Sequence, residues 1–203
     1  MKLVMLGVLG LRLAVTAMPN AATAATAATR SAIEGSWQTA CQPIGKNGRH
    51  GFITRLDIKR GRITASSQIY AHSNCDTPTV RTDYRGRIAN MQAGADGTVD
   101  FDHRVDAITT TANDQEVVTI YNAGGPGSGC GFGGGWQLGV ARSVAGRTCA
   151  PWTFPAAGTT LYERGWVSGN ELRIGSFPGV WDNVTREKRP TAPGLLVFKR
   201  VAE

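Results

Sequence analysis

The sequence is short of every feature that would name an activity outright. No serine sits in a Gly-x-Ser-x-Gly turn and no Gly-Lys-Ser/Thr closes a glycine loop, so neither a nucleophile elbow nor a phosphate cradle is spelled out. There are three histidines in 203 residues, His50, His72 and His103, and they are dispersed. No Cys-x-x-Cys occurs, and thiols in an oxidising compartment are poor metal donors, so no metal site is expected. Helical apolar spacing is equally scarce, and no apolar run is long enough to span a membrane. The basic residues are scattered instead of forming a stripe, which argues against nucleic acid as a partner. No cofactor motif is present, so none is expected.

What is there begins with an export-type leader. Lys2 precedes a largely apolar run from Leu3 to Val15, interrupted by Arg12, and small residues continue to Thr29. Ala22-Thr23-Ala24 and Ala25-Thr26-Ala27 supply small-x-small cleavage patterns, so residues 1–27 read as a signal peptide and 28–203 as a single domain. A periplasmic or secreted location follows. Loss of Lys2 and Arg12 leaves 20 basic against 15 acidic residues, a net +5, which favours anionic partners in general.

Four cysteines in an exported chain point to two disulfides, and four allow three connectivities. The local pairs Cys41 with Cys75 and Cys130 with Cys149 are favoured because each lies beside a strand end. Their loops of about 34 and 19 residues would each contribute about 3 to 4 kcal/mol.

From residue 33 onward the punctuation is that of β structure. Phe52, Thr54, Leu56 and Ile58 alternate with Ile53, Arg55, Asp57 and Lys59, then Arg60-Gly61 turns the chain back along 62–70. A second hairpin runs from Thr79 to Met91 and from Thr98 to Val105, around Gly94 to Gly97. Val99, Phe101 and Val105 share one face with His103, which is therefore expected inside as a hydrogen-bonded histidine. Asp100 and Asp102 fall on the opposite face, expected to be solvated and not to bind calcium; Asp96 precedes them in the turn. Glu116 to Asn122 and Trp136 to Arg142 read as further strands, flanking a segment with eight glycines in the twelve residues 124–135. That loop needs an external tether, which a Cys130 disulfide and the following Trp136 would supply. Residues 144–155 read as a corner, and a third hairpin runs from Thr159 to Val167 and from Glu171 to Phe177.

The count is about ten strands, with sequence neighbours as spatial neighbours. The expected fold is therefore all-β, an antiparallel up-and-down β-barrel, with a β-sandwich as the other arrangement such spacing allows. Closure would bring Trp37 in the opening strand 33–41 against Lys199 and Arg200 in the closing strand 195–201, a cation over the indole.

On these residues, Gly35-Ser36-Trp37 at one end and Lys199-Arg200 at the other, the chain resembles the calycins, lipocalin-like barrels in which a first-strand tryptophan is covered by a C-terminal basic residue. Thr82-Asp83-Tyr84 matches letters of a second lipocalin motif, although it follows Trp37 sooner than in that family and Arg85-Gly86 departs from the pattern. The chain is also similar to small exported bacterial domains of lipocalin-like or unknown function in which a Gly-x-Trp strand is soon followed by a cysteine. The resemblance implies a barrel that holds a small apolar or amphipathic ligand. Trp136, Trp152 and Trp181, beside corners or on long connections, are the residues expected at its mouth. A second expectation is an envelope interaction or inhibitor protein that meets a protein or an anionic glycan through its loops, motivated by the basic run Arg186-Glu187-Lys188-Arg189. With no nucleophile context and every cysteine paired, an enzyme is not expected. Mass spectrometry of the exported protein should find its N-terminus just after residues 24 to 27; intact Met1 on the folded protein would remove the export reading.

Overall fold

The computed structural model describes residues 32–125 and 128–202; the expected leader and its cleavage site lie outside them. The elements with bounds among the described residues are the strands and helix β1 (Gly35–Thr39), β2 (Gln42–Ile44), β3 (His50–Lys59), β4 (Arg62–Tyr70), β5 (Pro78–Ala93), β6 (Thr98–Ala112), α1 (Gln115–Asn122), β7 (Ala141–Ser143), β8 (Thr148–Cys149), β9 (Trp152–Thr153), β10 (Thr160–Ser168), β11 (Glu171–Ile174) and β12 (Val197–Arg200). Antiparallel pairing runs β1-β3-β4-β5-β6-β10-β11-β12 and returns to β1, giving a closed up-and-down barrel of eight strands. Two short strands extend the same sheet, β2 along the upper part of β3 and β7 along β6. Closure removes the free edges that an open sheet would expose.

The ends meet where the sequence predicts. Trp37 lies opposite Arg200 in the β1/β12 ladder, and the Arg200 guanidinium carbon stands 4.0 Å above the indole centroid. Arg200 also donates to the carbonyls of Glu34 (2.7 Å) and Ala32 (3.0 Å), while the indole Nε1 donates to Ile33 O (2.9 Å). The basic pair divides its work, because neighbouring strand residues face opposite ways. Lys199 points outward and pairs with Glu171 on β11.

Around Trp37 the inward residues Leu56, Ile58, Ile63, Phe101, Leu172 and Phe198 are fully buried and fill this end of the barrel. Gly165 is needed here because a Cβ would come within 3.0 Å of Ile33 Cδ1 and 3.3 Å of Leu172 Cδ1. Both expected disulfides are present, Cys41 with Cys75 and Cys130 with Cys149. The first lies against β3 at Gly51, where a Cβ would sit 2.5 Å from Cys75 Sγ.

Three expectations need correcting. The expected strand Glu116 to Asn122 is part of α1: Asp114 caps it, its Oδ1 accepting from the amides of Glu116 (2.8 Å) and Val117 (3.1 Å). Trp136 to Arg142 is not one strand either. Residues Gln137 to Val140 make a turn with Gly139 at φ +72°, and pairing with β6 begins only at Ala141. Finally, the outward face of β6 is not wet at Asp102, which is 5% exposed because the connection 178–193 crosses it. Arg189 from that connection donates to Asp102 Oδ1 at 2.5 Å, and Asp100 takes two hydrogen bonds from Arg164 (2.5 and 3.0 Å).

The seam makes a contrast that denaturation can read. Arg200→Met should lower unfolding free energy by about 1–3 kcal/mol in urea melts, since it removes the cation over Trp37 and two carbonyl contacts. Lys199→Met, which loses an exposed pair, should stay within about 0.5 kcal/mol of the parent. Equal effects would place the closure elsewhere.

Candidate functional site

Strand lengths decide where the interior stays open. Strands β3 to β6 run 9 to 16 residues, whereas β11 and β12 have four each. At about 3.3 Å per residue, β11 and β12 wall only about 13 Å of the barrel. Beyond Ile174 the chain leaves the sheet, and among the described residues β2 has no strand partner on its far side. Residues 151–154, 174–181 and 194–196 bend across this gap without filling it.

The result is a partly open cavity of about 590 Å³ at this end of the barrel. One wall is Ile44, Phe52, Ser67, Ile69 and Tyr84 on β2 to β5; the other is Trp152, Phe154, Phe177, Trp181 and Leu196. None of the lining side chains is charged. Trp181 meets Tyr84, Phe154 and Phe177 at ring-centroid separations of 5.2 to 5.7 Å, and Trp152 Nε1 donates to Gly179 O (3.1 Å), tying the two crossing segments together.

Below the cavity lies a buried polar layer. Tyr84 leans along its own strand over Gly86, where a Cβ would lie 2.3 Å from the phenolic oxygen. That close approach carries the hydroxyl to His103 Nδ1 at 2.6 Å. His103 is fully buried, as expected, and burial pushes its pKa down to about 3, so the ring is neutral. The same desolvation raises the Tyr84 phenol.

Beside them Glu163 is fully buried on β10 and holds the crossing segment. Its Oε1 accepts from Phe177 N (3.0 Å) and Asn183 Nδ2 (2.5 Å), and Ser176 N approaches Oε2 at 3.4 Å. Burial drives its pKa up to about 8, against the lowering pull of those donors. This buried carboxyl thus fixes the backbone that presents Phe177 and Trp181 to the cavity. Sequence reading passed over Glu163, whose inward parity with Leu161 and Gly165 was the available signal.

Of the three tryptophans expected at the mouth, Trp152 and Trp181 line the cavity together. Trp136 stands apart. It is 2% exposed beneath the glycine-rich segment, with Phe132 and Tyr121 against its ring, Nε1 donating to Gly129 O (3.0 Å), and main-chain bonds in both directions to the Asn122 side chain. It anchors the segment that the Cys130–Cys149 disulfide tethers. The basic run is also divided, with Arg189 turned in toward Asp102 and Arg186, Glu187 and Lys188 exposed.

His50 and His72 lie outside the barrel interior: His50 bonds Ala71 O (3.0 Å) and His72 bonds Asp76 (2.8 Å). Among the described residues no group of three or more His, Cys, Asp or Glu is placed to hold a metal ion, and no helix is long and apolar enough to cross a membrane. Comparison with known proteins finds no matching family model and no matching curated sequence. The antiparallel closed barrel is compatible with a lipocalin-like fold.

The raised pKa of Glu163 sets a pH dependence. Between pH 4.5 and about 8 the folded chain keeps a proton that the unfolded chain releases, so this group's contribution to stability falls as pH rises through that window. Relative to Glu163→Gln, the parent's thermal midpoint should drop from pH 5 to pH 8 and then run parallel. A pH-independent difference between the two melting curves would show that the acid is not held neutral.

Proposed function

We propose that this chain is an exported binding protein that holds one small apolar or amphipathic ligand in this cavity. The observation that carries the reading is the cavity's lining: about 590 Å³ bounded by aromatic and aliphatic side chains, with the polar side chains Ser67, Thr82, Tyr84 and Ser176 and no charge. That volume falls in the range of small-molecule sites, and such sites are typically apolar with a few polar groups. A fully packed barrel of eight strands would leave no such space. An amphipathic ligand would put its apolar part against Trp152 and Trp181 and keep any charged head at the opening. Two disulfides accord with export to an oxidising compartment.

The same reading takes the protein as a binder and not an enzyme. His103, the histidine inside the barrel, is neutral, engaged by Tyr84 and outside the cavity lining. Recognition of a protein or anionic glycan through the basic run is the weaker reading, because Arg189 is committed to Asp102 and Glu187 offsets one of the two remaining cations.

Titration with an uncharged apolar dye, N-phenyl-1-naphthylamine, tests the reading. Its fluorescence should rise on binding, and energy transfer from tryptophan should shrink in Trp152→Phe and Trp181→Phe but persist in Trp136→Phe. Ser67→Phe, which projects a ring into the cavity, should weaken uptake at least about tenfold, equivalent to about 1.4 kcal/mol. Uptake unchanged by Ser67→Phe would rule out this cavity.

A further inference from the structure

Leu195 is 96% exposed and lines the cavity mouth. A lone exposed leucine is ordinary, but this one is held out by its neighbours. Gly194 donates to Ile174 O (3.0 Å), and a Cβ at 194 would lie 2.5 Å from that oxygen, so the turn is clamped to the end of β11. Leu196 on its other side packs against the core. Val180, 52% exposed, also lines the mouth and is fixed by its backbone N–H, which donates to Ser176 O (2.8 Å). With half-buried Trp152 they form an apolar lip around the opening.

Gly45 lines the cavity on the facing wall, and the turn it begins carries exposed Lys46 and Arg49, of which Arg49 donates to His50 Nε2 (2.8 Å); no acidic residue occurs between Glu34 and Asp57, and Asp76 in the neighbouring loop is paired with His72 (2.8 Å). Across the mouth, residues 174–181 and 194–196 contain no carboxylate, and Asp182 is the nearest acid in sequence. Aliphatic and indole side chains beside cations match the boundary of an anionic bilayer, where apolar groups enter the acyl region and Lys or Arg meet phosphates.

We propose that this mouth docks on an anionic phospholipid surface, with Leu195 and Val180 entering the interface and Lys46 and Arg49 against the headgroups. Docking goes beyond ligand binding in the cavity and does not require it. It would place the opening against the phase in which apolar ligands are dissolved.

Flotation with phosphatidylcholine vesicles, with and without one-quarter phosphatidylglycerol, tests the proposal on the mature protein. Binding should favour the anionic vesicles and weaken at about 0.5 M salt, where screening is strong. Leu195→Ser, checked for folding by circular dichroism, should lower partitioning roughly tenfold. Lys46→Glu with Arg49→Glu should lower it by at least about tenfold while leaving dye uptake from solution intact. No binding, equal binding to neutral vesicles, or binding unchanged by these substitutions would overturn the proposal. So would a concentration-dependent dimer lost in Leu195→Ser without vesicle binding, which would assign the lip to a second copy. Vesicle binding that survives in a protein unable to take up the dye would sink the cavity reading and leave the docking surface.

Discussion

The guanidinium of Arg200 lying 4.0 Å above the Trp37 indole marks the place where the sheet joins itself, and the rest of the architecture depends on that junction. β1 is the shared partner, bonded to β3 along one edge and to β12 along the other. Without β1 both neighbouring strands would present unpaired backbone to solvent. The buried indole belongs to the same core cluster as Leu56, Phe101, Leu172 and Phe198, all fully buried. Closure and core formation are thus the same event at this end of the molecule.

The other end is governed by what the seam does not reach. Because β11 and β12 are short, one wall of the barrel is a crossing segment instead of a sheet, and that segment needs its own anchors. Two of them work from opposite sides. Glu163 works from the inside as a buried carboxyl, accepting from Phe177 and Asn183. Arg189 works from the outside as a charge, meeting Asp102 and bonding the carbonyl of Glu163. A single residue of β10 is therefore gripped through both its side chain and its backbone, and the aromatic wall of the cavity hangs from it.

The insertion between β6 and β10 follows a separate logic. Its glycines allow positive φ at Gly129, Gly131 and Gly133 to Gly135, which lets the chain fold tightly around the Cys130 disulfide. Trp136 gives this segment a small apolar centre of its own against Tyr121 and Phe132. The most buried of the three tryptophans expected at the mouth thus serves the scaffold.

Sequence alone determined what is written in local alternation and in chain ends. The period of two in β3 and β6, the hairpin turns and the inward His103 follow from short patterns, and the Trp37 seam from closing a meander; among three connectivities the cysteine spacing only favoured the two nearby pairs, which the structure decided. The helix α1 stands where a strand was expected: Asp114 is a local cap signal, but the eight helical residues carry too few apolar repeats to outweigh a β context. Only the tertiary structure decided that Asp102 is covered, that Glu163 is a buried acid, and that Trp152 and Trp181 share a cavity without Trp136. Each of these rests on a partner brought from a distant segment: Arg189 lies 87 residues from Asp102, and Asn183 lies 20 from Glu163. Such meetings are set by how far β11 and β12 extend before the chain leaves the sheet. That length depends on packing across the whole barrel, which no local window contains.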